Sequence, residues 1–324
     1  MSDNNVNAPV YTNFSTKHRG RLAQIPIYLG KFFRMFVYMN DWTVIPMAAI
    51  MALLVAYVTR EGIFITMEGT FKGTLALMCV ALWNGCFNSI QVVCRERGIV
   101  KREHRSGLHI SSYMIAHMIY QMFLCILQTV TTIGVFVFVR IEFPVMNGII
   151  TGGILVDIAI TVFLITYAAD MLSLFISSVV KDTTMAMTVM PLMLMVQLSF
   201  SGGIFSLPPS LDGLSSLMIS NQGLTCLCIQ ADYNNLPSTS GWTLLKKIAD
   251  SESADPQVAE SIMMIENEGY DEVIRVETAK ANFREDYVLN EDNIIVCWVL
   301  LSGSILFYAG AAVIVLEFID KDKR

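Results

Sequence analysis

The sequence predicts an all-α polytopic membrane protein with six transmembrane helices. Three observations carry that expectation. Of 324 residues, 54% are hydrophobic and only 15% are charged, which lies outside the usual soluble range. Residues 42–59, 73–94, 106–139, 183–211 and 293–316 hold no Asp, Glu, Lys or Arg, and each approaches or exceeds the ~20 residues that cross a bilayer as a helix. A sixth span fits between Glu142 and Lys181, interrupted by Asp157 and Asp170. Six crossings return both termini to one side.

The first 14 residues form a polar tail without the basic start, short apolar core and small-residue cleavage site of a removable signal peptide. Residues 15–41 mix Lys17, Arg19, Arg21, Lys31 and Arg34 with Ile25, Ile27, Tyr28, Leu29, Phe32, Phe33, Met35 and Phe36. That composition suits a helix lying in the membrane interface, aromatics buried and bases reaching phosphates. The next 194 residues, 42–235, hold the first five spans.

Arg95, Arg97, Lys101, Arg102 and Arg105 separate the second and third spans. Under the positive-inside rule this loop and the N-terminal region are cytoplasmic. Lys181, Lys321, Lys323 and Arg324 fall on the same side in a six-helix count. The chain enters and leaves residues 95–109 on one side, so a short polar helix with Gly98 and Gly107 as flexible points is expected there. The third stretch, 34 residues long, would make a helix of about 50 Å and project into the cytoplasm.

Pro191 and five methionines (Met185, Met187, Met190, Met193 and Met195) mark the fifth span. Proline bends a helix and methionine adapts to irregular apolar surfaces, so either plain packing or a deformable pathway wall including Gln197 fits. Residues 206–235 are too polar and too broken by proline and glycine for a full crossing. A re-entrant element packed on protein is expected. Residues 236–292 form an acidic extracytoplasmic insertion: from Asp212 to Asp292 there are five Lys or Arg against fifteen Asp or Glu. The last segment, 293–324, is the sixth helix and a cytoplasmic C-terminus.

Several chemistries are absent. No GxxxxGK[ST] loop occurs, and LSGS at Leu301–Ser304 sits in an apolar span, where small residues serve helix packing. His18, His104, His109 and His117 with seven scattered cysteines show no metal-ligand spacing. Cys226 and Cys228 are too close in sequence for an easy mutual disulfide. No nucleic-acid partner is expected. Asp157 and Asp170 lie about 20 Å apart along a helix, too far for a carboxylate pair, and serve either proton coupling or interhelical hydrogen bonding. Asn84, Phe87 and Asn88 share one helix face, either as helix glue or as a substrate-contacting surface of one aromatic plate and two amides.

Asn84 with Phe87, followed by Glu96, Glu103, Gly107 and Ser111-Ser112-Tyr113, resembles the second span and first cytoplasmic loop of type-2 ABC exporter permeases, most closely the ABC transporter G subfamily. ISSVVKDTTMAMTVMPLMLMVQLSFSGGIF and ISNQGLTCLCIQADYN agree with the same family. The likeness covers roughly residues 20–235 and the sixth span. It implies that residues 95–109 hold a coupling helix with Glu96, Arg97, Arg102 and Glu103 as contacts to an ATPase. It implies that Asn84 and Phe87 line a central cavity, with the fifth span opposite, and that the permease dimerises with itself or a relative. Two departures stand out. G-subfamily half-transporters generally carry their ATPase on the same chain, whereas here only a short tail precedes the connecting helix, so ATP and Mg are expected in a separate ATPase subunit. The external loop also lacks cysteines in residues 236–290. The expectation is an exporter subunit of the plasma (inner) membrane, not itself an enzyme. The rivals are a proton-coupled secondary transporter using Asp157 or Asp170, and a membrane scaffold or sensor whose acidic outer domain binds a partner.

Overall fold

The computed structural model describes residues 20–38, 41–60, 62–144, 148–205, 208–238, 257, 260, 261, 263, 264 and 283–318. The polar tail, the start of the 15–41 helix, most of the 236–292 insertion and the last six residues lie outside the described residues. Everything of length among the described residues is helical, with no β-sheet.

Helix α1, Arg21–Tyr38, is amphipathic and buries Phe32. A 3-10 turn at Asp41–Thr43 leads to α2, Val44–Thr59. Its buried face is Ala48, Ala52 and Ala56, spaced four apart so that small side chains let the backbone approach its neighbours. Both α1 and α2 pack on α5, Ile110–Phe138.

Helix α3, Met67–Ser89, starts six residues before the charge-free stretch at 73. Thr66 caps it by accepting the Gly69 N–H at 3.2 Å, and Glu68 sits in the first turn, where a negative charge complements the helix dipole. After Ile90 and Gln91 the chain resumes as α4, Val92–Arg105. Gly98 lies inside α4 and is no hinge. The turn comes at Gly107, with φ of 106°: Leu108 N–H bonds Glu103 O and Gly107 N–H bonds His104 O, the paired closure that calls for glycine in a left-handed conformation.

Helix α6, Ile154–Val179, forms the centre with α3. A Cβ on Gly85 would lie 2.0 Å from the Thr166 carbonyl oxygen, so only glycine permits this approach. Helix α7, Thr183–Ser199, contains Pro191. It stops well short of residue 211, because Gly202 turns the chain at φ 68°. The one-turn α8, Asp212–Ser215, precedes α9, Ile219–Gln230. All of α9 except Asn221 and Thr225 is buried, against α3, α6 and α10, Glu291–Glu317.

Among the described residues, four helical segments are long and apolar enough to cross a membrane: Met67–Arg105, Ile110–Phe138, Ile154–Val179 and Glu291–Glu317. Val44–Thr59 and Thr183–Ser199 are shorter apolar helices. The chain is therefore a multi-pass membrane protein, helical throughout its described elements. LSGS lies in the middle of α10.

Candidate functional site

The polar end of the bundle is a clamp of α1 on α4 and α5. Tyr28 donates to Glu103 Oε2 at 2.9 Å. Tyr113 donates to Glu96 Oε2 at 2.9 Å, and Lys31 Nζ stands 3.8 Å from the same oxygen. Gln24 closes the clamp from both sides, giving its amide N–H to Gly107 O at 3.1 Å and accepting the His109 N–H at 3.0 Å. Ser112 adds a bond to Arg21 O at 2.8 Å. Edge-to-face rings reinforce these contacts, with Tyr28 and Phe32 each 5.8 Å from Tyr113. Burial and the Glu103 charge push the Tyr28 hydroxyl well above its ordinary value, so it remains a donor.

Helix α4 is tied to α6 at its other flank. Ser177 Oγ accepts the Val93 and Cys94 N–H groups at 3.1 and 3.2 Å. Arg97 donates to Ser178 O and Val180 O, both at 3.1 Å, where a cation meets the negative end of α6. Of the four coupling residues expected from sequence, Glu96, Arg97 and Glu103 thus meet other helices, while the Arg102 side chain is exposed. Named bonds therefore tie α4 to α1, α5 and α6.

The other expected residues divide into two groups. Asn84, Phe87 and Asn88 line a small cavity of about 120 Å³ with Trp83 and Gln128. Asn84 is buried, whereas Phe87 is 45% exposed beside Trp83, ring centroids 5.7 Å apart. Asn88 and Gln128 bond each other reciprocally at 2.9 and 3.0 Å, an amide pair that satisfies both side chains in an apolar setting. Met190, Met193 and Gln197 line neither this cavity nor the larger one beside the clamp. Gln197 instead holds α9: its Oε1 accepts Ser220 N–H at 3.2 Å and its carbonyl accepts Ser220 Oγ at 2.5 Å. Met187 is the α7 residue that reaches the larger cavity.

Both intramembrane acids are engaged. Asp157 accepts from Ile149 N, Ile150 N, Thr151 N and Thr151 Oγ1 at 2.7–3.1 Å, fixing the loop before α6. Asp170 accepts from Ser89 Oγ and contacts Cys125 Sγ at 3.9 Å, joining α6 to α3 and α5. Cys226 and Cys228 face apart, 3.4 Å from Thr161 and Thr74 hydroxyls respectively. No cluster of His, Cys, Asp or Glu among the described residues could hold a metal ion.

Sequence reasoning missed Trp83, Gln121 and Gln128 as cavity residues. A signal was present: His117, Gln121 and Gln128 are spaced four and seven apart, one polar line on the apolar α5.

The family model described as ABC-2 type transporter matches residues 29–213, more than half of the chain. No match was found among curated proteins. The matched region runs from Leu29 within α1, through α3, α4 and α7, to Gly213, and leaves Arg21, Gln24 and Tyr28 of the clamp outside it.

Proposed function

The chain belongs to the ABC-2 type transporter family as a membrane permease, and on that premise we propose that it is the permease subunit of an ATP-driven exporter. It moves an amphipathic substrate outward by alternating access when paired with ATPase subunits. A permease domain of this family lacks an ATPase domain and typically works with an ATPase subunit, so ATP use belongs to the transporter as a whole. In this reading ATP and Mg are held by the partner, and α4, within the segment 95–109, is the coupling helix that receives its motion.

The observation that carries the proposal is the clamp. A helix that only linked two spans would need no Tyr28–Glu103 bond, no Lys31–Glu96–Tyr113 cluster and no Arg97 grip on α6. Together they join the connecting helix, the coupling helix, α5 and α6 into one lever, with Arg102 left outward for a partner. The resemblance to the G subfamily supports the same assignment of residues 15–41 and 95–109.

Six crossings with both termini cytoplasmic complete the reading, in the plasma (inner) membrane. Helices α2 and α7, with 16 and 17 residues, span about 24–26 Å, less than the ~30 Å hydrocarbon core. Local thinning and the adjoining 3-10 turn with Trp42 accommodate that mismatch. The half-exposed Phe87 and the exposed Met187 and Met195 suit a substrate surface facing a second permease, identical or related, with α7 as the opposite wall. Residues 206–235 are the re-entrant element and 236–292 the external insertion.

Glu103→Lys tests the coupling role. It removes the acceptor of Tyr28 and reverses the charge at the lever's tip. Membrane insertion should persist while ATPase co-purification or ATP-driven export is lost; unchanged export would overturn the assignment. Transport by the isolated chain on a pH gradient, with no ATPase, would overturn the exporter itself.

A further inference from the structure

Beside the clamp lies a cavity of about 280 Å³, enclosed by α1, the α3–α4 junction, α5 and the start of α7. Its lining mixes apolar side chains, Phe32, Phe87, Leu124 and Met187, with Arg95, Glu96, His117 and Gln121. His117 is 3% exposed and Gln121 1%. Neither ring nitrogen of His117 has a partner, nor has Gln121 Oε1. A neutral imidazole offers one donor and one acceptor, and a glutamine oxygen only accepts. Buried polar atoms are ordinarily bonded, so three unmet atoms around one cavity describe a ligand with both an acceptor and donors.

The sign of its charge follows from the surroundings. Glu96 is the only acid lining this cavity, and its carboxylate is already taken by Lys31 and Tyr113. Lys31 and Glu96 offset each other, which leaves Arg95 as the charge of the lining that no acid pairs among the described residues. Arg95 is exposed at the mouth and makes no ion pair among the described residues. An anion is therefore favoured, and the apolar side chains of the lining favour a molecule with a tail.

We infer that this cavity binds the head of an anionic amphiphile, a phosphate-headed lipid carrying a free hydroxyl, drawn from the cytoplasmic leaflet. The His117 N–H donates to a phosphate oxygen and Arg95 pairs with the charge. The head's hydroxyl donates to Gln121 Oε1, and the tail lies along Phe87 and Leu124. Basic pockets between helices at a cytoplasmic face have the chemistry for such heads. The inference rests on the reading that puts α1 and α4 at that face.

The test is native mass spectrometry of the full chain in neutral detergent, titrated with phosphatidylglycerol, phosphatidylcholine or inorganic phosphate. One phosphatidylglycerol should be retained per chain, and phosphatidylcholine should bind at least about tenfold more weakly, the order of one charge-assisted hydrogen bond. Arg95→Gln and His117→Leu should each weaken phosphatidylglycerol by about tenfold. Arg95 is exposed, so its variant carries the test even if His117→Leu does not fold. Equal retention of the two lipids, as expected if water alone fills the cavity, would overturn the inference. So would phosphatidylglycerol binding by Arg95→Gln within about twofold of the parent. Displacement of the lipid by inorganic phosphate alone would overturn the lipid as source and assign the anion site to the soluble ion. The assay needs no ATPase, so its failure leaves the pairing with an ATPase standing, and loss of that pairing leaves lipid retention standing.

Discussion

At Asp157 one carboxylate holds four donors in the loop before α6. Asp157→Asn turns an N–H₂ group toward N–H donors, and the loss should be about 2–3 kcal/mol, visible as a lower melting temperature of the detergent-purified chain. Gly85 sets a second limit. Gly85→Ala places a methyl against the Thr166 carbonyl and should destabilise by about 1–3 kcal/mol, whereas Gly134→Ala, with no atom within 4 Å, should melt at or slightly above the parent temperature. The acids were legible in sequence because charge within a span is costly. Their partners were not, since Ser89 and Cys125 stand 81 and 45 residues from Asp170, and nothing local announces such a meeting.

Among the elements, the lever of α1, α4 and α5 makes the sharpest prediction. Tyr28→Phe keeps the ring packing and removes only the bond to Glu103, so stability should fall by about 0.5–1.5 kcal/mol while ATPase stimulation by the permease falls further. The variant also has a pH signature. Because the folded chain holds the Tyr28 hydroxyl above its ordinary value, its contribution is fully present below the unfolded value of about 10 and is lost as pH rises toward the folded one. Melting curves of the parent should therefore decline more steeply above about pH 10 than those of Tyr28→Phe. The amphipathic character of α1 and the polar nature of α4 could be read from composition. Gly98 misled as a hinge because one glycine costs a helix only about 1 kcal/mol, less than the bonds of Arg97, Ser177 and Glu96 contribute on either side of it. Gly107, the other expected flexible point, does turn the chain, in the left-handed conformation that closes α4.

For the whole molecule, the proposed orientation can be measured with two cysteines placed where a new side chain meets nothing. Gly98 and Gly213 each have no atom within 4 Å of a built Cβ. With both termini cytoplasmic, Gly213→Cys should react with a membrane-impermeant maleimide in intact cells and Gly98→Cys only after permeabilisation; the reverse pattern would invert the topology. The long spans were legible because a charge-free stretch over twenty residues has few other homes. The ends of α2 and α7 were not, because helix length is set by where the chain must turn, at Gly202 for α7, and not by where the apolar residues run out. Helix α9 has a consequence for the making of this protein. It carries Ser220, Gln222 and Gln230 buried among α3, α6 and α10, and α10 is synthesised after it. A segment that polar has no stable place in lipid alone, so the seating of α9 is expected to be completed only once the C-terminal helix is in place. Chains cut before α10 should then be inserted but unfinished, with α9 open to the proteases that survey half-built membrane proteins.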